Sequence, residues 1–278
     1  MEDIVRLTPL IHRRKLLKKK RPRVEYPIMN GIEKNSVLWN LWHGCHKLSP
    51  GCANCYVYRA DAGRDVDTTV VTRTGSFDLP VRRRRDGSWK IAPGTMVYTC
   101  FTSDFFVEDA DIWRQEAWAM IRERQDLRFL MITKRIDRFA ACLPDDWADG
   151  YENVTVCCTV ENQAMADLRL PIYLSAPIKH KTIICEPLLG HVNLRQYITA
   201  GCIEQVVAGG ESGRYARPCH FEWILDIREV CAENGIGFWF KQTGAIFIKD
   251  GRAYRVPRSM QHSQARRAGI NLEKPHLK

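Results

Sequence analysis

From residue 93 onward the chain alternates short runs of β-forming residues with helical segments, and this alternation limits the fold more than any other feature. Residues 95–101 (TMVYTCF), 128–133 (RFLMIT), 153–160 (NVTVCCTV), 181–185, 203–208 and 236–241 are rich in β-branched and aromatic side chains and predict strands. A further apolar run, 37–42, precedes them. Residues 109–124 predict an amphipathic helix, with Ile112, Trp113, Trp118 (or Ala117), Met120 and Ile121 on or near one face. Residues 56–63 and 163–170 also predict helices. So do 221–234, where Ile224, Ile227, Val230 and Cys231 recur at helical spacing. Shorter helices are expected at 136–142 and 194–199. Continuous apolar strands separated by helices imply a parallel sheet covered on both faces. The expected fold is α/β: a partial parallel (β/α) barrel of about six to seven strands over residues 35–250. Residues 64–92 are polar and turn-rich and predict an insertion or hairpin turning at Asp86-Gly87. A basic arm, 1–34, and a tail, 251–278, flank the barrel.

The first predicted strand runs into W-N-L-W-H-G-C-H-K-L-S-P-G-C-A-N-C-Y, residues 39–56. Gly44 and the Ser-Pro-Gly at 49–51 break regular structure, so this stretch is a loop. It holds Cys45, Cys52 and Cys55, and three thiols on one loop predict a metal site. A cubane held by three cysteines keeps one iron open for a substrate or cofactor. The competing reading is zinc, with His43 or His46 as fourth ligand; against it, zinc sites usually draw two short ligand pairs from two loops. Polar residues follow the other strands in turn. They are Ser103-Asp104, Thr133-Lys134-Arg135, Glu161-Asn162, Glu186-Pro187, Gly209-Gly210-Glu211-Ser212-Gly213 and Lys241-Gln242. In a parallel barrel all of these meet at the C-terminal mouth, where the chemistry of such folds resides. The Gly209–Gly213 string has neither a Walker lysine nor the G-x-G-x-x-G spacing, which argues against a nucleoside triphosphatase.

Charge then limits the partners. Lys and Arg number 42 against 32 Asp and Glu, a net +10, and the excess is blocked. Residues 12–23 carry eight basic residues, Lys18, Lys19 and Lys20 among them, and no acid; Arg82, Arg83, Arg84 and Arg85 are consecutive. Such blocks favour polyanions, so DNA or RNA is the expected partner, with a solvated tail and hairpin as the plainer alternative. No run of eighteen apolar residues exists, and the basic N-terminal segment has no apolar stretch, so neither a membrane span nor a secretory leader is expected. The eleven cysteines are odd in number and mostly scattered singly through apolar runs, which fits a reducing cytoplasm.

The cysteine loop after the first strand of a parallel barrel resembles the radical S-adenosylmethionine (SAM) superfamily, whose usual C-x3-C-x2-C appears here as C-x6-C-x2-C. The string W-N-x-W-x-G-C-x6-C-x2-C-Y is followed in order by S-D-x-F, T-K-R, V-E-N, E-P-L-L-G, G-G-E-S-G and F-K-Q-x-G. Together these resemble a phage-associated family of radical-SAM-like barrels, loosely similar to spore photoproduct lyase, over roughly residues 37–244. The resemblance implies that Cys45, Cys52 and Cys55 ligate a [4Fe–4S] cluster and that SAM chelates its open iron. It implies SAM-holding roles for Ser103, Asp104, Glu161, Asn162, Glu186, Gly209, Gly210, Glu211 and Tyr56. By analogy with the lyase, Cys100 is a candidate hydrogen-atom donor, although a lone cysteine in a strand is more often a core residue. A reductant such as flavodoxin or ferredoxin is implied as partner. The sequence departs from the superfamily at two points. Asn54, not an aromatic residue, precedes the third cysteine, with Tyr56 following it; and Gly-Gly-Glu lies at 209–211, after the sixth strand rather than the second.

Two functions follow. The first is a radical SAM enzyme that modifies or repairs a nucleic acid or nucleotide. The second is a nucleic-acid-binding protein whose cysteine loop holds a structural Fe–S or zinc centre, without SAM chemistry.

Overall fold

The computed structural model describes residues 35–273. In chain order its strands are β1 (Ser36–Trp39), β2 (Trp42–His43), β3 (Thr72–Arg73), β4 (Met96–Thr99), β5 (Arg128–Thr133), β6 (Val154–Thr159), β7 (His180–Cys185), β8 (Gln205–Gly209), β9 (Cys219–His220), β10 (Gly237–Gln242), β11 (Ile246–Lys249) and β12 (Arg252–Arg255). Its α-helices are α1 (Tyr56–Ala62), α2 (Asp111–Glu123), α3 (Gln163–Ser175), α4 (Phe221–Glu233) and α5 (Arg258–Arg267). Seven strands form one all-parallel sheet in the order β1-β4-β5-β6-β7-β8-β10. The sheet curls into a half-barrel with helices around it.

Strand periodicity sorts the side chains between two faces. Phe129, Met131, Val156, Ile183, Val206 and Phe238 point to the helix-covered face and join the main core. The alternate residues Leu130, Ile132, Cys157, Ile184, Val207 and Trp239 form a second, smaller apolar cluster on the inner face. Leu130, Ile132 and Trp239 remain partly exposed there. A half-barrel thus keeps an accessible apolar wall below its mouth.

Several elements depart from sequence expectation for packing reasons. The apolar run 37–42 is not one strand. It breaks after Trp39, and Trp39, Leu41 and Trp42 are all fully buried. Trp39 Nε1 donates to the Phe77 carbonyl at 2.9 Å and Trp42 Nε1 to the Asp104 carbonyl at 3.1 Å. Beyond the break, β2 pairs with β3 of the 64–92 excursion. Ile112 is 78% exposed, and Arg114 takes a buried place on α2 by donating to the carbonyls of Phe105 and Val107. Helix α3 runs through Pro171 to Ser175. Its buried Tyr173 hydroxyl lies 2.7 Å from the Val156 carbonyl and accepts from the Thr182 amide at 2.7 Å, tying the last turn to the sheet. Two short 3-10 turns occupy 136–142, and 194–199 holds turns without a helix. The segment expected as a tail carries β12 and α5. The Leu272 amide and carbonyl bond those of Phe238, closing the outer edge of β10. Among the described residues no helix is long and apolar enough to cross a membrane.

A candidate metal centre at the strand mouth

The cysteine loop is held by its own ends. Gly44 has φ +100°, and a Cβ there would stand 2.5 Å from the Val70 carbonyl oxygen, so the position requires glycine. The Gly44 amide donates to Thr102 O at 3.2 Å and the Cys45 amide to Thr68 O at 2.8 Å. The Ser103 hydroxyl donates to the Gly44 carbonyl, and the Tyr58 hydroxyl to the Cys45 carbonyl. A 3-10 turn, Pro50–Cys52, leads to Cys55 at the start of α1.

Charged groups at the ends of four strands then clamp the loop. After β6, the fully buried Glu161 carboxylate accepts from the Ser49 hydroxyl, from the Gly51 amide at 2.9 Å and from Arg169 at 2.8 Å. Burial pushes its pKa up, but Ser49, the Arg169 and Lys134 charges and the Gly51 amide outweigh burial and hold it below the ordinary glutamate value. After β8, Glu211 accepts from Asn54 Nδ2 at 3.0 Å and from the Arg217 side chain at 2.6 Å. Burial again raises its pKa, and the bonds from Arg217 and Asn54 bring it below the usual range. Arg217 also donates to the Pro50 carbonyl at 3.0 Å. After β5, the buried Arg135 guanidinium reaches the Cys45 sulfur at 3.6 Å and the His46 carbonyl at 2.9 Å. Asp104, after β4, orders this corner: it accepts from the Thr133 hydroxyl at 2.8 Å and the Lys134 amide at 3.0 Å.

Seven of the eleven cysteines are buried; Cys45, Cys52 and Cys55 are three of the four that are not. Burial, then the Asp104 carboxylate, pushes the Cys45 thiol up to about 12, with Arg135 opposing and Cys52 and Cys55 adding to the rise. Among the described residues, no three His, Cys, Asp or Glu side chains stand in an arrangement that holds a metal ion. A tetrahedral zinc site demands tight convergence, with sulfurs about 4 Å apart around one ion. A cubane binds its cysteines on separate irons and requires only that the thiols face one cavity. Cys45, Cys52 and Cys55 are thus three thiols carried on one loop. The histidines proposed as a fourth zinc ligand are otherwise engaged: His43 Nε2 pairs with Asp61 and His46 Nε2 with Asp109, each at 2.8 Å.

A family profile matches residues 29–276. The chain belongs to DUF5131, described as a protein of unknown function. No curated protein and no solved structure matches it.

In this DUF5131 chain the remaining sequence-derived candidates differ in their surroundings. Asn162 caps α3 by accepting from the Met165 amide at 3.0 Å. The Tyr56 hydroxyl donates to the Phe101 carbonyl. Gly209 and Gly210 permit the close approach of the chain leaving β10: a Cβ on Gly210 would lie 2.3 Å from the Thr243 carbonyl oxygen. Each of these four positions makes a contact within the protein. Glu186 is different. It pairs with Lys241 at 2.6 Å and accepts from Gln242, making a polar rim beside Ile184, Val207 and Trp239. Cys100 is buried beneath the loop; burial and the Asp104 charge hold its thiol well above the ordinary range. Arg82 pairs with Asp78, Arg83 lies over the Trp89 ring at 3.6 Å, and Arg84 donates to the Lys90 carbonyl at 3.1 Å. Exposed Arg85 has no partner among the described residues. Lys18, Lys19 and Lys20 lie outside the described residues, as does the rest of the 1–34 arm. Sequence reasoning missed Arg169, Arg217 and Asn54 as loop supports. Asn54 and Arg217 reach groups 157 and 167 residues away, and Arg169 meets Glu161, eight residues before it, only because the turn from β6 into α3 brings the two together.

Proposed function

We propose that this protein is a radical SAM enzyme that binds a [4Fe–4S] cluster through Cys45, Cys52 and Cys55 and modifies or repairs a nucleic acid or nucleotide. What carries the reading is the placement of three incompletely buried cysteines on one loop, clamped at the C-terminal mouth of a parallel half-barrel. A cluster held by Cys45, Cys52 and Cys55 would supply the one-electron reduction by which radical SAM enzymes cleave SAM to begin hydrogen-atom chemistry on a substrate. The chain's own task is to place and shield. Glu161, Glu211 and Arg135 fix the loop, and the cysteines must lose their protons to bind, a change that the charge of bound iron favours. Trp39 and Trp42, fully buried behind the loop, keep water from that side. The partly exposed apolar wall of Leu130, Ile132 and Trp239 suits a flat ring, and the Glu186–Lys241 pair suits polar groups at its edge.

The second reading, a binding protein with a structural centre, gains from one observation. Glu161, Glu211 and Asp104 are spent on protein partners. One experiment separates the two. After anaerobic reconstitution with iron and sulfide, dithionite and SAM are added and 5′-deoxyadenosine is assayed by chromatography. Wild-type protein yields it and Cys52→Ala does not. A loaded cluster that releases none from SAM rejects the enzyme and leaves the structural centre.

A further inference from the structure

Tyr215 is 67% exposed, on the loop that follows β8. An isolated exposed tyrosine needs no explanation; this one has an unusual mounting. Its backbone carbonyl accepts from Asn54 Nδ2 at 2.8 Å, next to Cys55. The following residues, Ala216 and Arg217, are tied down: the Ala216 amide donates to Gly213 O at 3.3 Å, and the Arg217 amide to Glu211 at 2.9 Å. The backbone is thus anchored to the cysteine loop, while the phenol and ring project without a hydrogen-bond partner among the described residues. The Arg214 guanidinium lies 5.5 Å from the ring centroid. Arg59 packs against Gly213, its guanidinium carbon 2.8 Å from where a Cβ would be, and donates to the Asn54 carbonyl. Lys47 donates to the Ala53 carbonyl at 3.1 Å. None of Arg59, Arg214 and Lys47 has a carboxylate partner among the described residues. The nearby acid, Glu211, is buried and already bonded to Arg217 and Asn54.

Lys47 also lies 4.7 Å from the Tyr58 ring centroid. A rigidly mounted aromatic flanked by cations that no carboxylate neutralises is what single-stranded nucleic acid requires: a face for a base and charge for the phosphates beside it. We infer that Tyr215, with Arg214, Arg59 and Lys47, forms a platform for single-stranded nucleic acid at the edge of the cysteine site. One base stacks on Tyr215, and the backbone crosses the three cations. This deepens the proposed function and rests on its nucleic-acid substrate. It also gives the substrate a form, because an enzyme acting on a base must meet it outside a duplex stack. The location differs from the Arg82–Arg85 hairpin, where Arg82 is neutralised by Asp78 and Arg83 covers the only tryptophan face of that turn, Trp89.

The test measures anisotropy of short fluorescein-labelled DNA and RNA homopolymers, single-stranded and duplex, with the full chain and without reductant or SAM. Tyr215→Ala lowers single-strand affinity about five- to a hundred-fold, as expected for a lost base stack. Tyr215→Phe binds like the wild type, because the ring is what is used. Arg214→Ala reduces the slope of log affinity against log salt by about 0.7, one phosphate contact on a single strand. Thermal melts establish that the variants fold. Equal affinity of Tyr215→Ala and wild type, or tight binding of polyglutamate in place of the oligonucleotides, overturns the platform. Binding and SAM cleavage are read in separate assays, so failure of one is not failure of the other.

Discussion

At the scale of single residues, the two points where the sequence departs from the radical SAM pattern turn out to be bonded to each other. Asn54, in the place of an aromatic, donates to Glu211 of the displaced Gly-Gly-Glu at 3.0 Å. The glutamate that the resemblance assigns to SAM therefore holds the loop, and the asparagine is what it holds. Glu161 does the same on the other side of the turn. Its partner Arg169 is itself buried, so removing the carboxylate strands a guanidinium. Glu161→Ala is expected to cost about 3–5 kcal/mol in chemical denaturation, the usual penalty for breaking one side of a buried pair. The thiols of Cys45, Cys52 and Cys55 should also react faster with a thiol reagent. A Glu161→Leu, Arg169→Met double variant should recover most of the stability but not the slow thiol reaction, because Ser49 and Gly51 would still lack their acceptor. Recovery of both would show that Glu161 serves the core and not the loop.

At the scale of elements, α5 belongs to the folded body. His262 on this helix is buried, with Nδ1 2.9 Å from the Lys241 carbonyl, next to the Lys241–Glu186 pair. Burial disfavours the imidazolium and lowers its pKa below 6.5; the Lys241 carbonyl and Glu186 oppose this, and the Lys241 and Arg266 charges reinforce it. The folded state therefore takes up its proton at lower pH than the unfolded chain. Between the two values the unfolded chain binds more protons, so the contribution is whole above the unfolded pKa and is lost as pH falls through the folded one. The denaturant midpoint should drop on going from about pH 8 to about pH 5, and His262→Asn should shrink that drop. An unchanged drop would place the titration elsewhere. The strands and longer helices were legible because apolar spacing alone marks them. The break after Trp39, the exposed Ile112 and the helix running through Pro171 were not. In each, a distant partner outweighs local preference: Phe77 and Asp104 for the tryptophans, Phe105 and Val107 for Arg114, and Thr182 for Tyr173.

At the scale of the whole molecule, the half-barrel leaves part of its inner wall exposed and brings Asp104, Arg135, Glu161 and Glu211 to the C-terminal ends of its strands. The blocked positive charge predicts a second effect, separate from the Tyr215 platform. Deleting residues 1–23 should weaken DNA or RNA affinity and flatten its salt dependence, with each lost phosphate contact removing about 0.7–0.9 from the slope. Unchanged affinity and slope would mean that the arm is no nucleic-acid contact. The sequence by itself determined the parallel α/β architecture and the loop that bears three thiols. Both follow from short-range patterns: alternation of apolar runs, and glycine and proline around closely spaced cysteines. Only the tertiary structure decided which charged residues serve that loop. Glu161, Glu211, Arg135 and Arg217 are up to 167 residues from the groups they hold. A buried carboxylate is the same letter whether it meets a cofactor or a neighbouring amide, and only the fold brings its partner to it.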